Sequence, residues 1–161
     1  MVLKVLLDST YLLPTFGVSV RGLSDEDIET LRILGRTKVR YYCLSVVWVE
    51  ILGKIHREAL KKGISLDGII NAAIESLLSS GFYEWISPSL NAVKIAYELR
   101  LRGHRDIIDN LLYGTAISEH MIFLTMDMTF IDFLKRNNYA TENVYDHKKL
   151  IQIIQEWSSK Q

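Results

Sequence analysis

The stretch Val2-Leu3-Lys4-Val5-Leu6-Leu7-Asp8 decides the fold. Five of its first six residues are Val or Leu, and only Lys4 interrupts them. A nearly unbroken apolar run suits a central parallel strand covered on both faces. A strand with one solvated face would alternate. Asp8 then sits at the carboxyl end of that strand. In open parallel sheets, ligand sites form outside the carboxyl ends of strands, near the switch point in strand order.

Working outward, further short apolar runs recur at Val39–Leu44, residues 82–86, residues 121–124 and Val144–Tyr145. Segments of helical spacing separate them. Ser9 or Thr10 is placed to cap a short helix, with Pro14 tolerable in its first turn. Ser24 opens the next helix, with Asp27 in a capping-box position, and Gly35 is expected at its end. Ser45 is expected to cap a long helix reaching Lys62, stopped by Gly63. Ser65 opens another to about residue 80. Helices are also predicted over residues 90–102, 106–119, 129–137 and 147–157. This alternation predicts an α/β domain of three layers, with a central, mostly parallel sheet between helices. No Pro-, Gly- or Ser-rich linker divides residues 1–161, so one domain is expected.

Composition narrows the function classes. Of 161 residues, 48% are hydrophobic, enough for a core without disulfides or a structural metal. The single cysteine, Cys43, excludes a Cys-rich zinc site and reads as a small buried hydrophobe. No run approaches the ~20 apolar residues of a membrane helix. The apolar start lacks a basic region and a cleavage site, so no signal peptide is expected and the cytoplasm is the expected location. Nineteen basic side chains balance nineteen acidic ones, which argues against coating nucleic acid by bulk charge. A local basic surface beside an acidic pocket stays compatible with that sum.

Several acids stand in unusual places. Asp8 and Asp127 each follow an apolar strand, the second in Ile122-Phe123-Leu124-Thr125-Met126-Asp127. Glu50 lies in Val46-Val47-Trp48-Val49-Glu50-Ile51-Leu52, a stretch with no other charge. Asp106 and Asp109 fall one turn apart near a helix start. Each has an ordinary explanation too: a helix cap, a first-turn acid, or for Glu50 an i,i+4 pair with Lys54.

Together these motifs resemble the PIN-domain nucleases, including the VapC-type toxins of toxin–antitoxin pairs. Val5-Leu6-Leu7-Asp8-Ser9-Thr10 is similar to the family's first strand and aspartate, and Val46 to Leu52 to its glutamate-bearing helix. Asp109-Asn110-Leu111-Leu112-Tyr113-Gly114-Thr115-Ala116 is similar to its third motif. Leu124-Thr125-Met126-Asp127-Met128-Thr129-Phe130 is similar to its fourth. The resemblance implies Asp8, Glu50, Asp109 and Asp127 as catalytic, metal-holding acids. Asp106 is either a further ligand or a helix cap. Ser9 and Thr125 are supporting candidates, each equally explained as a turn or cap residue.

Clustered carboxylates repel one another and call for a cation. An all-oxygen set favours Mg²⁺ or Mn²⁺ over zinc. The expected chemistry is metal-dependent hydrolysis of phosphodiester bonds, and the resemblance implies RNA as the substrate. RNA-binding candidates are Lys54 and Arg57, with Lys61 and Lys62 beyond them, and Arg100, Arg102 and Arg105 around His104. The second group leads into Asp106. Trp48, Tyr97 and Tyr113 are base-stacking candidates, with core packing expected for all three. Apolar positions on the helices of residues 46–80, including Ile64, Leu66, Ile69 and Ile70, suggest a homodimer face or a groove for an antitoxin helix.

Two rivals stay open at this stage. One is a catalytically inactive PIN-like scaffold that binds RNA or protein. The other is a different Mg²⁺-dependent α/β phosphatase, although Thr10 stands where an aspartyl-phosphate enzyme has its second aspartate. No Walker-type Gly-rich loop is present either.

Overall fold

The computed structural model describes residues 2–65 and 67–159. Its sheet has five strands: β1 (Leu3–Leu7), β2 (Val39–Leu44), β3 (Tyr83–Ile86), β4 (Ile122–Leu124) and β5 (Val144–Tyr145). They lie in the order β3-β2-β1-β4-β5, every neighbouring pair parallel. β1 is central, with Leu7 opposite Cys43 on one side and Leu124 on the other. Val5, Leu6 and Leu7 are all buried, although successive residues of a strand point to opposite faces. Both faces of the sheet are therefore covered, as the apolar run predicts.

Helices fill the crossovers that parallel pairing requires. They are α1 (Asp25–Thr37), α2 (Val47–Lys62), α3 (Asp67–Ser79), α4 (Leu90–Leu101), α5 (Ile107–Ser118), α6 (Met128–Arg136) and α7 (His147–Ser158). A 3-10 segment, Ser9–Phe16, follows β1 and ends at Gly17, whose φ of 74° suits glycine. The capping box at Ser24 forms as expected: Ser24 Oγ accepts from the Asp27 N–H at 3.1 Å, and Asp27 accepts from the Ser24 N–H at 2.9 Å. Ser89, Asp106, Asp127 and Asp146 cap α4, α5, α6 and α7.

Three local expectations change. Gly35 lies inside α1 rather than at its end. A Cβ there would collide with the rings of Phe82 and Tyr41, so this glycine makes room for packing. Ser45 does not cap α2. Its N–H donates to the Ile86 carbonyl at 2.8 Å, and α2 begins after Val46 with no side-chain cap. Ser9 does not cap the 3-10 segment, because its hydroxyl is engaged elsewhere.

Cys43 is fully buried, and burial pushes its thiol up, in keeping with a packing role. Trp48 stacks on Trp85 with ring centres 5.2 Å apart, and Tyr113 is core. Tyr97 is 63% exposed, against the expectation of core packing. It joins Leu90, Val93 and Leu101 in an exposed apolar stripe along α4. The opposite face of α4 lies against α5 so closely that a Cβ on Gly114 would collide with the Ala92 carbonyl. Ile64 and Ile69 are exposed, Ile70 is partly buried, and Leu66 lies outside the described residues. Among the described residues, no helix is long and apolar enough to cross a membrane.

Candidate active site

The switch in strand order falls beside β1, where β2 pairs on one side and β4 on the other. Asp8 leaves β1 there, its N–H donating to the Leu124 carbonyl at 3.0 Å. Asp127 lies three residues beyond β4, at the N-cap of α6, and its Oδ1 accepts from the Phe130 N–H at 3.0 Å. Glu50 comes from the first turn of α2 and Asp109 from the first turn of α5. Asp106 caps α5, its Oδ1 accepting from the N–H groups of Ile108 (2.9 Å) and Asp109 (3.2 Å). All five line one cleft of about 430 Å³, together with Thr10, Lys54, Arg57 and Met126. Helix N-termini meet here, and their unpaired N–H groups favour negative charge.

A hydrogen-bond chain joins the Asp8 side. Thr125 Oγ1 donates to Asp8 Oδ2 at 3.1 Å and accepts from the Asp127 N–H at 3.1 Å. Ser9 Oγ lies 3.2 Å from Asp8 Oδ1 and 2.7 Å from Glu50 Oε2. One hydroxyl proton serves one acceptor at a time, and the shorter contact assigns it to Glu50. Lys54 Nζ donates to Ser9 Oγ at 2.8 Å. Ser9 and Thr125 are both fully buried.

Burial dominates the electrostatics. It raises the Asp8 carboxyl above its ordinary value, against the pull of Lys54, Thr125 and Ser9. It raises Glu50, which Ser9 and Lys54 draw down and Asp8 and Asp106 push up. Asp109 is pushed up to about 8, by burial first and then by the charges of Asp8, Asp106, Glu50 and Asp127. The donor set therefore fits a hard divalent cation: carboxylates only, with more negative charge than Lys54 and Arg57 neutralise. Among the described residues, no three His, Cys, Asp or Glu side chains stand as a ready ligand group.

The two basic clusters part company. Lys54 and Arg57 line the cleft, whereas Arg100, Arg102 and Arg105 are exposed on the approach to α5 and do not line it. Arg100 Nη1 donates to the Arg105 carbonyl at 3.2 Å, and His104 is held by Asn110 (2.7 Å) and by the rings of Phe130 and Phe133. A contact the sequence reading overlooked is buried His147 against Tyr11. The Tyr11 hydroxyl lies 3.2 Å from His147 Nδ1 and accepts from its N–H, tying the segment after Asp8 to α7. Nothing in the spacing of residues 11 and 147 signals it.

Solved structures share this fold. A chain of VapBC2 from Rickettsia felis, solved bound to a DNA fragment from their promoter, matches with a TM-score of 0.59 and 16% identity, over 89% of this chain and 98% of that one. A chain of a toxin–antitoxin complex from Klebsiella pneumoniae matches with a TM-score of 0.54 and 15% identity, over 89% and 97%. The chain has a PIN-like fold. At this identity the likeness speaks for the PIN-like architecture alone. No family model and no curated protein matches the sequence.

Proposed function

We propose that this chain is a divalent-metal-dependent endoribonuclease. The observation that carries the reading is the cleft. Five carboxylates, from the end of β1 and the N-termini of α2, α5 and α6, converge at the switch point of a parallel sheet, with Lys54 and Arg57 among them. Asp8, Glu50, Asp109 and Asp127 would hold Mg²⁺ or Mn²⁺, with Asp106 beside them. Bound there, such an ion supplies positive charge where negative charge develops on the phosphodiester oxygens.

The remaining work falls to the chain's own groups. Arg57, exposed at the cleft, meets the substrate phosphate. Thr125 orients the Asp8 carboxylate and fixes the turn that presents Asp127. Ser9 holds Glu50, whose carboxylate orients the attacking water. Single-stranded or exposed RNA suits a cleft at the carboxyl ends of the central strands.

The structural likeness to chains of toxin–antitoxin complexes supports a toxin role with an antitoxin partner. A groove of about 460 Å³ between α2 and α3, lined by Leu52, Ile55, Ala59, Leu60, Ile64 and Ile70, offers an apolar surface for a partner helix. The exposed stripe of α4 offers one for a homodimer. The test is cleavage of labelled single-stranded RNA by the protein and by Asp8→Asn, with Mg²⁺, Mn²⁺ or EDTA. Cleavage that needs the metal and disappears in Asp8→Asn is expected. No cleavage with any metal, joined to no metal binding in calorimetry, overturns the reading.

A further inference from the structure

Lys54 stands one helical turn after Glu50, the spacing of an ordinary surface ion pair. Its surroundings differ from that pattern. The ammonium lies 3.9 Å from Glu50 Oε2 but donates to the fully buried Ser9 hydroxyl at 2.8 Å. That hydroxyl in turn touches Glu50 and Asp8. The Lys54 side chain is only 31% exposed and lines the carboxylate cleft. Its tip is threaded inward and bridged to two carboxylates through one hydroxyl.

We propose that Lys54 is a built-in cation of the cleft. Its ammonium serves the Asp8–Glu50 pair, where a second divalent ion would otherwise be needed. The cleft then takes one divalent ion, among Asp8, Asp109 and Asp127. This inference rests on the metal-binding reading above. The physical case is local. Two carboxylates sharing a buried hydroxyl need positive charge nearby, and the attraction between charges grows as solvent is excluded. A lysine meets that need with the strand-to-helix geometry alone, independent of metal concentration. The charges that act most strongly on Asp109 are all carboxylates: Asp8, Asp106, Glu50 and Asp127.

The test is calorimetric titration of Mn²⁺ into the wild type, Lys54→Met and Lys54→Arg, with thermal melting run on each. Methionine keeps the apolar stem and removes the charge. The wild type and Lys54→Arg are expected to bind one ion per chain. Lys54→Met is expected to bind a second, or to bind the first about tenfold more tightly, as loss of a repelling charge requires. If Lys54→Met fails to melt cooperatively, Lys54→Gln reads the same stoichiometry. Two ions in the wild type, or unchanged count and affinity in the uncharged variant, overturn the proposal and leave the metal reading standing. No ion bound by any of the proteins overturns both.

Discussion

Asp8 and Asp109 share one cleft, yet Asp8 is surrounded by groups that answer its charge and Asp109 by groups that share it. The two residues are nearly equally hidden, at 6% and 7% exposure. Lys54, Thr125 and Ser9 all draw the Asp8 carboxyl down, while burial draws it up. Around Asp109, burial and four carboxylates act in the same direction. Burial alone therefore does not set how a buried acid behaves, because the neighbours decide whether its charge has an internal counterpart. The surroundings of Asp8 are organised by the chain's own donors, whereas the strongest influences on Asp109 offer its charge no counterpart.

The largest expected effect comes from removing either acid. Asp109→Asn and Asp8→Asn should each lower single-turnover cleavage of labelled RNA in Mn²⁺ by about a thousandfold, since ligand-held metal charge contributes several kcal/mol to such transition states. A loss below about tenfold at either position would show that its carboxylate is not part of the reaction.

Next in size is the pH response of stability, which sharpens the contrast. An unfolded aspartate releases its proton near 3.8, whereas folded Asp109 holds it to about 8. Between these values the folded state binds the extra proton. Stability is therefore fully present below the ordinary value and is lost as pH rises through about 8. In EDTA, the melting temperature should fall by several degrees between about pH 5 and about pH 9. Asp109→Asn should make that slope shallower and raise the melting temperature at the alkaline end. The remaining slope belongs to Asp8 and Glu50, whose carboxyls are raised in the same direction. A slope unchanged by Asp109→Asn would remove Asp109 as the group in conflict.

Thr125→Val tests the organised surroundings of Asp8. It removes a donor to Asp8 and the acceptor of the Asp127 N–H, both buried or partly buried. Denaturant unfolding should show a loss of about 1–3 kcal/mol, the usual cost of orphaned buried partners. The smallest effect is at Asp106. Asp106→Ala should cost about 1 kcal/mol through loss of the α5 cap. Asp106→Ser should restore that stability. If Asp106→Ser also keeps the wild-type Mn²⁺ affinity, Asp106 acts as a cap only.

Much of this was legible in the order of residues. Val39–Leu44 gives its strand because β-branched, aromatic and apolar residues fill it apart from Arg40, and the structure bounds the strand at the same residues. Ser24 and Asp27 carry their cap in a span of four residues. The acids at the ends of β1 and β4 stand where parallel-sheet sites form, and the structure places them in one cleft. What escaped depends on partners far along the chain. Ser9 reads as a cap locally, yet its hydroxyl is taken by Glu50 and Lys54, over forty positions away. Gly35 reads as a helix end, yet Tyr41 and Phe82 claim the space beside it. Tyr97 reads as core, because nothing nearby shows that its side of α4 faces solvent.

The close seat of Gly114 against Ala92 has a mechanical consequence. Backbone meets backbone there, with no flexible side chain to absorb a shift. α4 and α5 are thus geared together, and α5 carries Asp109 at its other end. A body that settles on the apolar stripe of α4 and tilts that helix moves the cleft's most exposed-to-conflict acid with it. The exposed stripe of α4 and the buried Asp109 ride on one rigid lever.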